Sequence, residues 1–239
     1  MREILGRRRR LGRRGGPARL DAALTCATEW QWPVVPGAGL RGAGGRGDRG
    51  CACPDPECAV PGAHPFDPGL LAATTDARMV RWWWTNRPAA PVLLATGGRA
   101  PCALSLPAAA GAGALAALDR AGLRPGPVVA TPTRWALLVA PYTLERLGEL
   151  LYAQDWVPSS LRFHGEGGYV VLPPSEIGTG QVCWERAPER ATGPRPKRAA
   201  SSGAAASGGA LWLPDVGDVL DVLVEASASA PDGGSRLAY

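Results

Sequence analysis

The sequence predicts a layered fold of alternating strands and helices, of the α/β or α+β class. Short apolar runs bounded by Gly and Pro indicate the strands, and stretches with apolar residues at helical spacing lie between them. The chain has 239 residues, which fits one domain with tails or at most two small domains. Its 32 Gly and 24 Pro residues stay just below the level at which disorder would be expected throughout.

The first predicted element is a helix over residues 20–30, because Leu20, Leu24 and Ala27 share one face. Another helix begins after Thr75, a good N-cap residue. Later elements follow from apolar runs and from the residues that end them. The predicted strands lie at 32–36, 92–95, 102–106, 128–130, 135–139, 169–172 and 181–185, and the other helices at 76–84, 108–121 and 142–153.

Composition divides the chain into five segments. They are a disordered Arg-rich leader at 1–19, a folded domain at 20–186, a disordered Pro/Ala/Ser linker at 187–210, an acidic amphipathic helix at 211–226 and a tail at 227–239. The leader holds eight arginines and one glutamate, so the positive charge of the chain is concentrated there. Such a leader can bind DNA through its phosphates, or it can be a solvated extension.

The acidic helix allows two interpretations. Its apolar face can dock back on the domain, or it can bind a protein partner at the end of the tether. No apolar run approaches the 18 residues that suggest a membrane span, so no membrane association is expected. The arginines at the start lack the apolar segment of a secretory signal, which favours a reducing, cytoplasmic location.

Three cysteines and a histidine make the most specific local pattern. Cys51, Cys53, Cys58 and His64 follow one another within fourteen residues. Thiolates and one imidazole are the ligands that zinc prefers in a closed structural site. The pattern therefore predicts a small zinc knuckle, and the alternative is a Pro-rich loop with free thiols.

Other candidate features are weaker. Gly165, Gly167 and Gly168 precede a strand, where a turn with free amides can bind the phosphate of a nucleotide or can simply close a hairpin. Trp82, Trp83 and Trp84 lie on a predicted helix, so one or two of them should be core residues and one should be partly exposed. His164 is isolated in the sequence and is expected to be a solvated loop residue.

The ordered set of motifs resembles the N-terminal domain of bifunctional DNA primase/polymerases (prim-pol), in a degenerate actinobacterial form. The matching segments are WQWPVVP at 30–36, PGAHP at 61–65, ATTD at 73–76 with the tryptophans that follow, PAAPVLLATG at 88–97, TPT at 131–133 and GEGGYVVLPPS at 165–175. Together they cover about residues 20–186. The resemblance implies an α+β fold with a sheet like that of an RNA-recognition motif and helices on one face.

The resemblance also implies where catalytic residues would stand. Polymerase members of the family carry Asp-x-Asp on the strand after the ATG turn, a His after the TPSGG segment and a third acid before the GGY turn. Here Ser105 and Pro107 replace the acidic pair, Ala136 lies where the His is missing, and Ser160 replaces the third acid. Two-metal nucleotidyl transfer needs carboxylates, so neither Mg²⁺ nor Mn²⁺ is expected to bind.

Three functions follow from this comparison. The first is a primase/polymerase-like domain without catalysis that retains a binding role toward DNA or a nucleotide. The second is an interaction or regulatory protein in which the fold is a scaffold and the helix at 211–226 binds a partner. The third is an active primase-polymerase, which would require acids at positions other than those that the motifs indicate.

Overall fold

The computed structural model describes residues 16–42, 50–191 and 211–228. In these residues five α-helices and nine strands form a mixed α+β fold, which confirms the predicted class. The helices are α1 (Gly16–Leu24), α2 (Ala77–Asn86), α3 (Ala108–Arg120), α4 (Leu144–Tyr152) and α5 (Val216–Ala228). The strands are β1 (Val34–Pro36), β2 (Val92–Ala95), β3 (Cys102–Pro107), β4 (Val128–Ala130), β5 (Arg134–Val139), β6 (Arg162–His164), β7 (Tyr169–Leu172), β8 (Ser175–Ile177) and β9 (Gly180–Arg186).

The strands form two sheets rather than the single sheet expected. A small sheet has the order β1-β2-β7, and a large one has the order β6-β3-β5-β4-β9-β8. Every pairing is antiparallel. Because β6 and β7 belong to different sheets, the chain passes from the large sheet to the small one at the Gly-rich turn between them.

One face of the large sheet is covered by α3 and α5. The alternate residues of β3 and β5 that point to this side, such as Leu104 and Leu137, are buried with Ala114 and Leu118 of α3. Leu220 and Leu223 of α5 complete the same core. Helices α3 and α5 therefore form one layer on this face of the large sheet.

The opposite face is covered in part, because the small sheet and the first helices pack against it. Ala103, Ala136 and Leu138 share a core with residues from the beginning of the chain, including Val34. On α2, Trp83 and Trp84 are buried in this core, and the Trp84 indole donates a hydrogen bond of 3.0 Å to the Ala90 carbonyl. Trp82 is 62% exposed, so the expected division of the three tryptophans is confirmed.

The first helix is longer than the sequence indicated. It begins at Gly16 instead of residue 20, and a π-helical turn continues it over Thr25–Glu29. The predicted disordered leader at 1–19 is therefore wrong for 16–19, and residues 1–15 lie outside the described part. Arg19 donates a hydrogen bond to the Pro174 carbonyl, a long-range contact that no local pattern reveals.

The acidic helix docks on the domain. It begins at Val216 rather than 211, and Leu211 instead bridges to Arg190 beside β9. Its apolar face is buried against α3 and the sheet, with Asp218 and Asp221 on the exposed side. Of the predicted linker and tail, residues 192–210 and 229–239 lie outside the described part.

Smaller differences concern element ends and short strands. Asp76, not Thr75, caps α2, and its carboxylate accepts bonds of 2.7 and 3.0 Å from the Arg78 and Met79 amides. β6 and β8 were not predicted, because they are three residues long and lack a clear alternation. Within the described residues no helix has both the length and the apolar character needed to span a bilayer.

Candidate functional site

The positions that the resemblance assigns to catalytic acids lie on adjacent strands of the large sheet. Ser105 and Pro107 are on β3, opposite Ala136 and Arg134 of β5. On the other side of β3, Ser105 pairs with Arg162 of β6, and Ser160 lies two residues before that arginine. Directly paired residues point to the same face of an antiparallel sheet, so the side chains of the paired β3, β5 and β6 residues share one surface, which the backbone of Ser160 adjoins.

Arg134 spans this surface. Its Nε and Nη2 atoms lie 3.3 and 3.1 Å from the Ser105 hydroxyl, and Nη2 also donates to the Ser105 carbonyl at 2.6 Å. The same Nη2 donates to the Ser160 carbonyl at 2.8 Å. A guanidinium group thus joins two of the three positions at which the resemblance places carboxylates.

Arg134 has only neutral partners among the described residues. The three ion pairs of that part of the chain are Arg124–Glu189, Arg146–Glu149 and Arg186–Asp119, so neither Arg134 nor Arg162 takes part. Burial, and then the charge of Arg162, lower the pKa of Arg134 to about 10. At neutral pH the site therefore carries a half-buried positive charge beside a second, exposed one.

His164 belongs to the same cluster and is not the solvated loop residue that was expected. It lies on β6, is half-buried, and its Nε2 is 2.9 Å from the Ser105 hydroxyl. Burial, followed by the charges of Arg134 and Arg162, lowers its pKa to about 4, so the ring is neutral at pH 7. Because the Ser105 oxygen already accepts from Arg134, its hydroxyl hydrogen is free to donate to Nε2.

Carboxylates do not gather at this surface. Within the described part of the chain, one group of His, Cys, Asp or Glu side chains is close enough to hold a metal ion. That group is the Cys/His cluster, whose residues precede β3 by more than 35 positions and do not belong to this surface. Ser105, Pro107, Ala136 and Ser160 offer no carboxylate oxygen, and their cluster is basic where a two-metal centre is acidic.

The third position also contacts the C-terminal helix. The Ser160 hydroxyl lies 2.7 Å from the hydroxyl of Ser227, which is 3% exposed near the end of α5. Gln154, just after α4, donates a bond of 2.7 Å to Asp221. The helix therefore supports the segment that carries the Ser160 carbonyl, one of the acceptors of Arg134.

The Gly-rich turn interlocks with the turn after β2. The Gly168 amide donates to the Gly165 carbonyl at 3.0 Å, and the Thr96 hydroxyl donates to that same carbonyl at 2.6 Å. Gly167 has a φ of +78°, as a tight hairpin turn requires. With the Gly168 amide occupied, the contacts fit the hairpin interpretation of Gly165, Gly167 and Gly168 better than a phosphate-binding turn.

The Cys/His cluster forms as a compact unit. The ligand atoms of Cys51, Cys53, Cys58 and His64 all lie within 4.8 Å of one another. Backbone bonds fix the surrounding loop: the Ala38 amide donates to the His64 carbonyl at 2.8 Å, and Leu40 bridges to Cys51. Four soft or borderline ligands at this separation fit a tetrahedral ion.

The electrostatics of the cluster favour a thiolate at Cys51 but not at Cys58, where burial raises the pKa to about 11. Burial raises the pKa of Cys51, but hydrogen bonds from the Cys53 and Gly62 amides and from the Cys53 and His64 side chains outweigh it and lower the pKa to about 6. His64 Nε2 is 3.2 Å from the Cys51 sulfur, and Nδ1 is 2.9 Å from the Pro65 carbonyl. Nδ1 can donate to the Pro65 carbonyl, so Nε2 is the nitrogen turned toward the sulfurs, and it can ligate a metal ion once its own hydrogen is lost.

Sequence reasoning missed Arg134, Arg162 and His164 as a group. The three residues belong to no common motif. What brings them together is the register of β3 with β5 and β6, which the sequence does not reveal. The two arginines lie in short apolar segments that carry no other charge, and this was the only local indication.

Comparison with known proteins gives one match. A family model described as bifunctional DNA primase/polymerase, N-terminal, matches residues 23–198. Searches of curated proteins and of solved structures gave no match. The matched range includes both the Cys/His cluster and the Arg134 cluster.

Proposed function

Since the chain belongs to the family of bifunctional DNA primase/polymerase N-terminal domains, we propose that it is a primase/polymerase-like domain that does not catalyse nucleotidyl transfer and that binds DNA or a nucleotide. The six-stranded sheet, with α3 and α5 on one face, supports its assignment as the core sheet of the family. The Arg-rich leader supports a contact with DNA, because closely spaced cations bind phosphates.

A single observation carries the proposal of inactivity. The guanidinium of Arg134 lies across the positions at which polymerase members carry metal-binding acids, and it donates to Ser105 and Ser160. A guanidinium at such a place repels a divalent ion, and within the described residues no cluster of carboxylates lies there to compensate. The reaction needs two divalent ions to activate the primer hydroxyl and to neutralise the triphosphate, so it has no support at this surface.

Primer extension tests this proposal. The full chain is incubated with a primed DNA template, all four deoxynucleoside triphosphates and Mn²⁺, and we expect no template-dependent product. A polymerase of known activity added to a parallel reaction shows that the assay works. Products that depend on the template and that disappear in a His164→Ala variant would refute the proposal, since a contaminating enzyme would not respond to that substitution.

We further propose that the Cys/His cluster binds zinc as a structural ion. Cys51, Cys53, Cys58 and His64 fill all four positions of a tetrahedral ion, which leaves none for a substrate. When bound, zinc would cross-link the loop after β1 to the segment that precedes α2. The cluster is joined to the turn between β8 and β9 through a bond of 2.8 Å from the Gly178 amide to the Pro61 carbonyl.

Metal analysis of the purified chain tests the zinc site. We expect about one zinc per chain, because a closed site of this composition binds zinc tightly. A Cys58→Ser variant should lose most of the metal and melt at a lower temperature. Cys183→Ser is the matched control, since Cys183 is an exposed thiol outside the cluster, and it should retain full zinc. A wild-type chain free of zinc after expression in zinc-supplemented medium would contradict the assignment.

A further inference from the structure

The surface around Arg134 has the features of an anion site. Arg134 is half-buried, Arg162 is exposed beside it, and neither forms an ion pair within the described residues. A partly buried charge without a counter-charge is costly, and protein sites that keep one commonly use it to bind an oppositely charged ligand. The neutral partners of Arg134 hold it in place without cancelling its charge.

The hydrogen bonds of Arg134 leave donors available. Nε and Nη2 are used by Ser105 and Ser160, whereas Nη1 has no protein partner among the described residues. The two N–H groups of Nη1 are therefore the donors that Arg134 can offer to the oxygens of a phosphate. Arg162 pairs with Ser105 across β6 and β3, so it presents a second guanidinium on the same sheet face.

His164 adds to this arrangement in a neutral form. Its Nε2 lies 2.9 Å from the Ser105 hydroxyl, and the two nearby arginines repel any cation that would bind to the ring. The cluster thus combines one cation held by hydrogen bonds, a second exposed cation, a hydroxyl and an imidazole, and none of these four side chains is a carboxylate that would repel an anion.

From these contacts we propose that Arg134 and Arg162 form a phosphate-binding site that works without a divalent ion. The inference rests on the proposed function, because it assumes that this surface no longer holds metals. The phosphate belongs to a nucleotide or to a nucleic-acid strand, which share the same chemistry. Arg134 takes the place of the cation that would otherwise bridge the protein and the phosphate oxygens.

Isothermal titration calorimetry tests the proposal on the full, zinc-loaded chain. The buffer is freed of divalent ions with a chelating resin before the protein is added, and the probes are pyrophosphate and a short oligothymidylate. We expect saturable binding of at least one probe. An Arg134→Gln variant should bind that probe with an affinity at least about tenfold lower, because a charge-assisted bond to phosphate is lost.

Two further variants make the result decisive. Arg134→Gln can affect folding, since it removes bonds to Ser105 and Ser160, so the exposed Arg162→Gln is measured as well and should also weaken binding severalfold. Arg120→Gln removes the same charge from the exposed end of α3 and should leave affinity unchanged. Pyrophosphate binding would identify a nucleotide-type ligand, and binding of the oligonucleotide alone would identify a strand.

The proposal would be overturned by either of two results. One is the absence of saturable binding of both probes without a divalent ion. The other is equal binding by the wild type and the Arg134→Gln, Arg162→Gln and Arg120→Gln variants, which would assign the binding to the leader or to general charge. Neither result bears on primer extension, so failure of this site and failure of the proposed inactivity are distinguishable.

Discussion

Replacing Leu220 with alanine should lower the free energy of unfolding by about 2–5 kcal/mol, the usual cost of truncating a fully buried leucine. Leu220 is 1% exposed, between α3 and the large sheet, together with Val219 and Leu223 of α5. For a domain of this size the loss corresponds to a fall in melting temperature of roughly 4–20 °C. Thermal unfolding followed by circular dichroism measures it.

The matched control is Asp218→Ala on the exposed side of the same helix. Asp218 is in the first turn of α5, where a carboxylate stabilises the helix by about 0.3–1 kcal/mol. The control should therefore change stability far less than Leu220→Ala does. Equal effects of the two substitutions would show that α5 is undocked in solution, and the helix would then be available to a protein partner.

Replacing Gly97 with alanine should destabilise the domain by about 3–5 kcal/mol, at the upper end for a single substitution. Gly97 has a φ of +93°, and a Cβ there would overlap the Cα of Glu166 and lie 2.7 Å from its backbone nitrogen. Backbone atoms cannot move aside cheaply. The substitution would separate the turn after β2 from the Gly-rich turn that follows His164.

Gly98 provides a neighbouring control with open surroundings. It also has a positive φ, of +62°, but a Cβ there would meet nothing within 4 Å. Gly98→Ala should cost only the conformational penalty of an L-residue in this region, about 1–2 kcal/mol. Chemical denaturation measures the free energy of unfolding of both variants. Their difference separates the cost of the backbone conformation from the cost of the steric overlap. If both lose the same stability, the two turns are not in contact in solution.

These substitutions concern parts of the fold that differ in how far the sequence predicts them. The strand at 128–130, the strand at 169–172 and the helix that follows β3 were predicted to within a residue of their observed ends. Their apolar runs are bounded by Pro or Gly, so the signal is local. β6 and β8 were missed, because three residues at a sheet edge contain too little pattern.

The two candidate sites show the same contrast. The Cys/His cluster could be predicted because its ligands are close together in the chain and their chemistry is specific. For the surface around Arg134, the sequence predicted only that the metal-binding acids are missing, because other residues stand at their positions. That an arginine occupies the surface was not predicted, since Arg134 is 29 residues from Ser105 and 26 from Ser160.

The sequence by itself determined the α+β class, most elements, the Cys/His cluster and the membership of the family, because each depends on spacing along the chain. Only the tertiary structure decided that α5 docks on α3, that His164 is neutral and paired with Ser105, and that Arg134 joins Ser105 to Ser160. These contacts depend on strand order and register. Register is set by the packing of both sheet faces at once, and local periodicity does not specify which strands become neighbours.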